Sequence, residues 1–289
     1  MHARRRFTVP LPGGRRLALG DRTLVMAVVN LTPDSFSDGR GAVDPGRALD
    51  AALAAEAAGA DLLDLGAEST RPGATPVDAG EEQRRLLPAL RRIVRETRLP
   101  ISIDTTKAVV ARAALGEGAA IVNDISGLRY DPGLGRVAAG AGAGLVVMHM
   151  RGSPADMYRE AVYADVVSEV RRELSDSLRL AEDAGVARDR IVVDPGLGFA
   201  KRPEHSYRLL SGLAGLAALD RPILVGPSRK SFLGQALGEV EPQARDWGTA
   251  AAVTAAILEG AHIVRVHAAA EMVQVARVAD RILEGASRA

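Results

Sequence analysis

Residues 100–148 read PISIDTTKAVVARAALGEGAAIVNDISGLRYDPGLGRVAAGAGAGLVVM. Three short apolar runs, 100–104, 120–123 and 144–148, alternate there with two longer segments, 107–116 and 132–140, that read as helices. The runs are apolar along their length instead of alternating with polar residues. Strands of that kind belong to a parallel sheet covered on both faces, and strands alternating with helices are βαβ units.

The same alternation continues outward in both directions. Upstream lie a run at 25–30, a helix at 45–58, a run at 61–65 and a helix at 80–97. Downstream come a helix at 163–184, a run at 190–194, a helix at 203–219 and a run at 221–226. An interrupted helical region at 230–259, a run at 261–267 and a helix at 271–284 complete the series. Eight strand–helix units in 289 residues predict an α/β fold of the (β/α)8 TIM-barrel type, one domain over 1–289 with the barrel proper at about 25–284. An open doubly wound sheet is the structural alternative, but no GxGxxG follows the first strand. Ahead of the barrel, residues 7–19 form two short runs around Leu11-Pro12-Gly13-Gly14. They read as a β-hairpin, expected to cover one barrel end.

Composition excludes several classes of function. The formal net charge is +1, so no global field favours nucleic acid or an anionic membrane surface. There are no cysteines, which removes disulfides, thiolate nucleophiles and cysteine metal sites. No apolar stretch has the length of a bilayer span and no secretory h-region follows the basic N-terminus, so a cytoplasmic location is expected. Of the 37 basic residues only Lys107, Lys201 and Lys230 are lysines. A lysine in so arginine-biased a chain can mark a place where a guanidinium does not fit.

A closed barrel carries its active site at the C-terminal ends of its strands. Here those ends are polar: Asn30, Asp104, Asn123-Asp124, His149 and Asp194, then Lys230 after the seventh strand and Arg265 and His267 on the eighth. One such residue is more often a helix cap or a loop anchor than a ligand-binding group. Several on one rim need a ligand, because uncompensated carboxylates and amides in a packed mouth are costly. Asp104, Asn123, Asp194 and Lys230 suit a flat heterocycle with an amide and amine edge. Arg265, His267 and Asn30 suit a phosphate-bearing group, with a hard cation on an oxygen ligand. Residues 228–231 are expected to open a helix whose N-terminus can hold a carboxylate or phosphate. HExxH, GxSxG and zinc-type spacings are absent.

Seven segments in order carry a family resemblance: NLTPDSFSDG (30–39), ESTRPG (68–73), SIDTTK (102–107), NDIS (123–126), DPG (194–196), SRKS (228–231) and RVH (265–267). Over 25–284 the chain resembles the dihydropteroate synthases. The resemblance implies a magnesium-dependent transferase of folate biosynthesis, usually a homodimer. Such an enzyme joins 6-hydroxymethyl-7,8-dihydropterin diphosphate to p-aminobenzoate, giving 7,8-dihydropteroate and diphosphate, and is a sulfonamide target. It further implies a pterin pocket of Asp104, Asn123, Asp194 and Lys230 with Arg265 over the ring, and Thr70 among the contacts to the diphosphate substrate. Asn30 would hold Mg2+, and Arg265 and His267 the diphosphate. Asp104, Lys230, Arg265 and His267 would carry the catalysis. Phe36, Arg71, Pro72 and Ser231 would border p-aminobenzoate. The chain departs from the family pattern at Ala67, Leu197, Ala200 and Ala268, none of them a group assigned to chemistry. A corrinoid-linked pterin methyltransferase domain would share the pterin residues but need no diphosphate site. A non-catalytic pterin-binding paralogue is the alternative outside enzymes.

Overall fold

Eight parallel strands form the centre of the computed structural model, which describes residues 2, 4–32, 44–70, 74–154, 156–238 and 240–286. They are β3 (Leu24–Asn30), β4 (Leu62–Gly66), β5 (Ile101–Asp104), β6 (Ile121–Asp124), β7 (Gly144–Met148), β8 (Ile191–Asp194), β9 (Leu224–Val225) and β10 (Ile263–Val266). The hydrogen-bonded order is β8-β7-β6-β5-β4-β3-β10-β9. The last strand therefore returns beside the first, with Ile263 opposite Leu24. A parallel bridge between Val193 and Ile223 joins the two remaining edges, so the sheet closes into the expected (β/α)8 barrel.

The helices cover the outside. Ala79–Glu96 shows how one is specified: Asp78 caps it by accepting from the Glu81 N–H, and Leu86, Ala89, Leu90 and Ile93 recur at helical spacing on its buried face. Boundaries differ from the sequence expectation where local chemistry intervenes. The helix expected from 163 starts at Val166, because the Asp165 carboxylate takes the orphan N–H groups of Val167 and Ser168. The segment 203–219 divides at Gly212 into the helix Pro203–Ser211 and a 3-10 segment, Leu213–Leu219. The strand expected over 221–226 shrinks to Leu224–Val225, and Pro222 has no N–H to offer a ladder.

The N-terminal hairpin pairs β1 (Phe7–Pro10) with β2 (Arg16–Leu19), Phe7 opposite Leu19. Its inward side chains Val9, Leu11, Leu17 and Leu19 pack with Met26, Leu62, Ile121, Val146, Val192 and Ile263. Those residues lie in the first halves of their strands, so the hairpin closes the barrel's N-terminal end and the opposite mouth stays open to ligand.

Candidate active site

Asp104, Asn123 and Asp194 end or nearly end β5, β6 and β8, and the barrel brings all three to one cleft at its C-terminal mouth. The cleft is lined also by Thr70, Lys230 and Arg265, with Ile125, Met148, Leu197 and Phe199 as its apolar wall. That mixture, a few convergent polar groups against an apolar wall, is the usual make-up of a small-molecule site.

Arg265 organises the polar side. Its Nε donates to Asp64 Oδ2 at 2.6 Å and its second terminal nitrogen to Asp104 Oδ2 at 2.8 Å. Asn123 Nδ2 donates to the same Asp64 oxygen at 3.1 Å. Burial works against the guanidinium, but Asp64, Asp104 and Asp194 outweigh it and hold the charge on. Burial raises the Asp104 carboxyl above its ordinary range, with Arg265 opposing and Asp64 reinforcing. Asp194 is pushed up to about 6 by burial, against the Gly196 N–H that its Oδ1 accepts at 2.7 Å and the Lys230 cation. Lys230 is lowered to about 8 by burial and Arg265, while Asp194 and Asp104 pull the other way. Its Nζ stands 3.8 Å from the centre of the Phe199 ring, a cation–π contact that uses the compactness of an ammonium.

The structure thus gathers six of the twelve residues singled out in the sequence on the cleft wall: Thr70, Asp104, Asn123, Asp194, Lys230 and Arg265. Asn30 ends β3 opposite Gly66, on the same rim but not on that wall. His267 follows β10 and is held by Ser228, whose Oγ lies 2.9 Å from His267 Nδ1 and accepts the His267 backbone N–H at 3.1 Å. Phe36, Arg71 and Pro72 lie outside the described residues.

One expectation is corrected. The helix expected to open at 228–231 begins only at Ser231, with Lys230 as its N-cap, and it has seven residues. Ser228 precedes it and serves His267 instead, while Ser231 is exposed and off the cleft wall. Arg265, expected both over the ring and at the diphosphate, has two of its nitrogens committed to Asp64 and Asp104.

Asp64 was missed. It is fully buried, receives Arg265 and Asn123 through one oxygen, and leaves Oδ1 without a partner among the described residues. The signal was present: a carboxylate inside a strand otherwise apolar on both faces must answer to a cation or a donor. Phe199 was missed because nothing local says that its ring will meet Lys230. The three lysines all prove confined. Lys107 bridges Glu68 at 2.5 Å and the buried Glu82 at 2.6 Å, Lys201 is fully buried, and Lys230 stands in the cleft.

Known proteins are similar to this chain in sequence and fold. Residues 26–267 match the family model described as pterin binding enzyme. A dihydropteroate synthase of Synechocystis sp. is 45% identical over 277 residues, covering 96% of each chain. The solved structure of a Xanthomonas albilineans dihydropteroate synthase with 4-aminobenzoic acid superposes with a TM-score of 0.88 at 42% identity, over 95% of this chain and 98% of that one. A Yersinia pestis dihydropteroate synthase in complex with a sulfonamide drug superposes with a TM-score of 0.89 at 36% identity, over 96% and 100% of the two chains.

Proposed function

The chain belongs to the pterin binding enzymes, and within them to the dihydropteroate synthases, and from that premise we propose how its residues divide the reaction. The chemistry joins the arylamine nitrogen of p-aminobenzoate to the methylene carbon of a 7,8-dihydropterin. The C–O bond to diphosphate breaks, and the amine loses a proton. The arylamine is neutral and already nucleophilic at working pH, so no strong general base is needed. Departure of the diphosphate is the demanding step.

Asp194 accepts from the amino and ring N–H groups of the pterin, and Asn123 meets the same edge. Lys230 donates to the pterin carbonyl and ring nitrogen. Asp104 offsets the positive charge that develops on the methylene as the leaving group departs. Arg265, aimed by Asp64 and Asp104, packs over the ring and supplies positive charge toward the diphosphate. His267, oriented by Ser228, serves the leaving group from the neighbouring strand end, with Thr70 on the rim. The observation that carries this reading is the Arg265 guanidinium held by two carboxylates, Asp64 and Asp104, on the wall of the cleft that also presents Asp194, Asn123 and Lys230.

Magnesium fits the donor set in one way. No group of three His, Asp or Glu side chains suited to a metal occurs among the described residues. Asn30 presents a hard amide oxygen on the rim, and Mg2+ commonly takes one or two protein oxygens and completes its shell with substrate phosphates and water. Bound so, Mg2+ would neutralise charge on the departing diphosphate.

Incubating the chain with Mg2+, the pterin diphosphate and p-aminobenzoate should yield 7,8-dihydropteroate, and a sulfonamide should compete with p-aminobenzoate. Pterin binding without product would instead mark a non-catalytic pterin binder. The p-aminobenzoate site is assigned to Phe36, Arg71 and Pro72 with Ser231 at its edge. A homodimer is part of the proposal. Trp247, the sole tryptophan, is 88% exposed, a fit for a face that a second copy covers. Its emission should then shift to the blue as protein concentration rises; a spectrum that stays water-exposed through dimerisation removes this face from the interface.

A further inference from the structure

Behind the cleft wall lies a buried ion that the reaction scheme does not use. Lys201 is 1% exposed and the largest of the fully buried side chains among the described residues. Its Nζ has three acceptors: His149 Nδ1 at 2.8 Å, the Phe199 carbonyl at 2.9 Å and the His149 carbonyl at 3.4 Å. His149 Nε2 faces Glu173 Oε2 at 2.9 Å. A ring nitrogen facing a carboxylate carries the proton, so Nδ1 is the lone-pair nitrogen and Lys201 donates to it. Three acceptors within reach of one Nζ suit the three N–H groups of an ammonium.

These bonds form a clasp around one turn. The His149 backbone N–H donates to the Asp194 carbonyl at 2.9 Å, at the start of residues 195–201. Lys201 holds His149 through both ring and carbonyl, and at the far end of the turn it holds Phe199. Between these ends sit Gly196, Leu197 and Phe199, all on the cleft wall. The turn has little slack, since a Cβ on Gly196 would lie 2.0 Å from the His149 carbonyl oxygen. The Tyr163 hydroxyl adds a bond to the Ala200 carbonyl at 3.0 Å.

We propose that Lys201 is a positioning residue for the pterin cleft: its buried ammonium locks the 195–201 turn, which aims the Asp194 carboxylate and sets the Phe199 ring against Lys230. The inference rests on the pterin reading of the site and adds a residue outside the cleft to it. The charge acts as well as the geometry. Asp194 faces three cations, Lys230, Arg265 and Lys201, each of which favours its ionised form. Burial pushes the Lys201 amine well below the ordinary lysine range, with Arg151 and Arg129 adding to the effect; Asp194 and Glu173 favour its charge, and His149 in contact is held neutral, its pKa lowered by burial to about 3. Removing the ammonium therefore raises the proton affinity of Asp194. A role limited to packing would leave that titration in place.

The test is calorimetry of 6-hydroxymethyl-7,8-dihydropterin, which lacks the diphosphate, on the full chain from pH 5 to 8. Lys201→Met should raise Kd about tenfold or more near pH 7.5 and move the acid limb of the binding profile up by about half a pH unit or more. The KM for p-aminobenzoate should stay within about twofold. Lys201→Arg should not rescue binding, because the three acceptors surround a compact ammonium. Glu173→Leu, at a partly exposed position, removes the outer anchor and should shift the limb the same way by a smaller amount. It decides the matter if Lys201→Met does not fold. Unchanged pterin affinity and an unmoved acid limb in a folded Lys201→Met, or in Glu173→Leu if the former is unfolded, overturn the proposal. A wild-type chain that does not bind the pterin overturns the functional reading itself.

Discussion

Asp194 carries opposite demands in the free and the liganded protein. Its carboxyl is raised from 3.8 to about 6, so an ionised Asp194 is a cost to the empty fold. The cost is absent below about pH 4, where both states are protonated, and complete above pH 6, where the folded group ionises. Asp194→Asn should therefore raise the stability of the empty protein at pH 7.5 by about 1–3 kcal/mol, read by urea unfolding. If Asp194 accepts from the pterin as proposed, the same change places a donor against pterin donors and should weaken pterin binding by roughly 2–4 kcal/mol, read by calorimetry. In the wild type, pterin affinity should decline below pH 6 as Asp194 protonates. Lys230, lowered to about 8, sets the other limb: affinity should decline above pH 8 as the ammonium deprotonates. Lys230→Arg should keep charge above pH 8 yet bind nearly as poorly as Lys230→Ala, because the longer planar fork directs its donors differently from a compact ammonium on this cleft wall. Near-normal turnover by the Arg variant would show that charge alone suffices there.

Among the elements, the turns after the strands carry the strictest requirements. Gly196 has φ +66 and approaches the His149 carbonyl so closely that a methyl group cannot be placed without moving the backbone. Gly196→Ala should cost at least about 2 kcal/mol of stability and degrade pterin binding as well, since Asp194 accepts the Gly196 N–H. A Tm within a degree of wild type would show that the turn has room. Four residues on, Ala200 occupies a left-handed conformation (φ 51), and the Tyr163 hydroxyl bonds its carbonyl. The loop after β4 is anchored by Glu68, which takes the Lys107 ammonium on one oxygen and the Val77 N–H on the other. Each of these turns links a strand end to a side chain far away in sequence.

At the scale of the whole molecule the barrel separates its stabilising end from its reacting end. Leu11 in the hairpin is 3% exposed and meets the start of β7, where a Cβ on Gly144 would lie 3.0 Å from Leu11 Cδ2. Leu11→Ala should cost about 2–4 kcal/mol in urea unfolding through lost burial and the cavity left behind. The pterin Kd should be unchanged at temperatures where the variant is folded, because the cleft lies at the opposite ends of the strands. A large rise in Kd would mean that the hairpin's packing reaches the mouth. No helix among the described residues is long and apolar enough to cross a membrane.

The eight strands, the crossover helices and the hairpin were legible in the chain because burial periodicity is a local property: a strand covered on both faces must be apolar along its length. Asp104, Asn123, Asp194 and Lys230 were legible for a related reason, since topology alone sends strand ends to one rim. The pairing among those residues was not. Asp64 reads locally as one polar residue in an apolar run, and it becomes the anchor of Arg265 only when barrel closure brings the second strand, β4, near the last, β10, 201 positions apart in sequence. Ser228 looks like the start of a helix until β10 brings His267 beside it. Lys201 carries no local sign of burial, and its three acceptors come from two loops about fifty residues apart. Hydrophobic pattern is written into neighbouring residues, whereas the partner of a buried charge is chosen by barrel closure, and the protonation behaviour of the site follows from that choice.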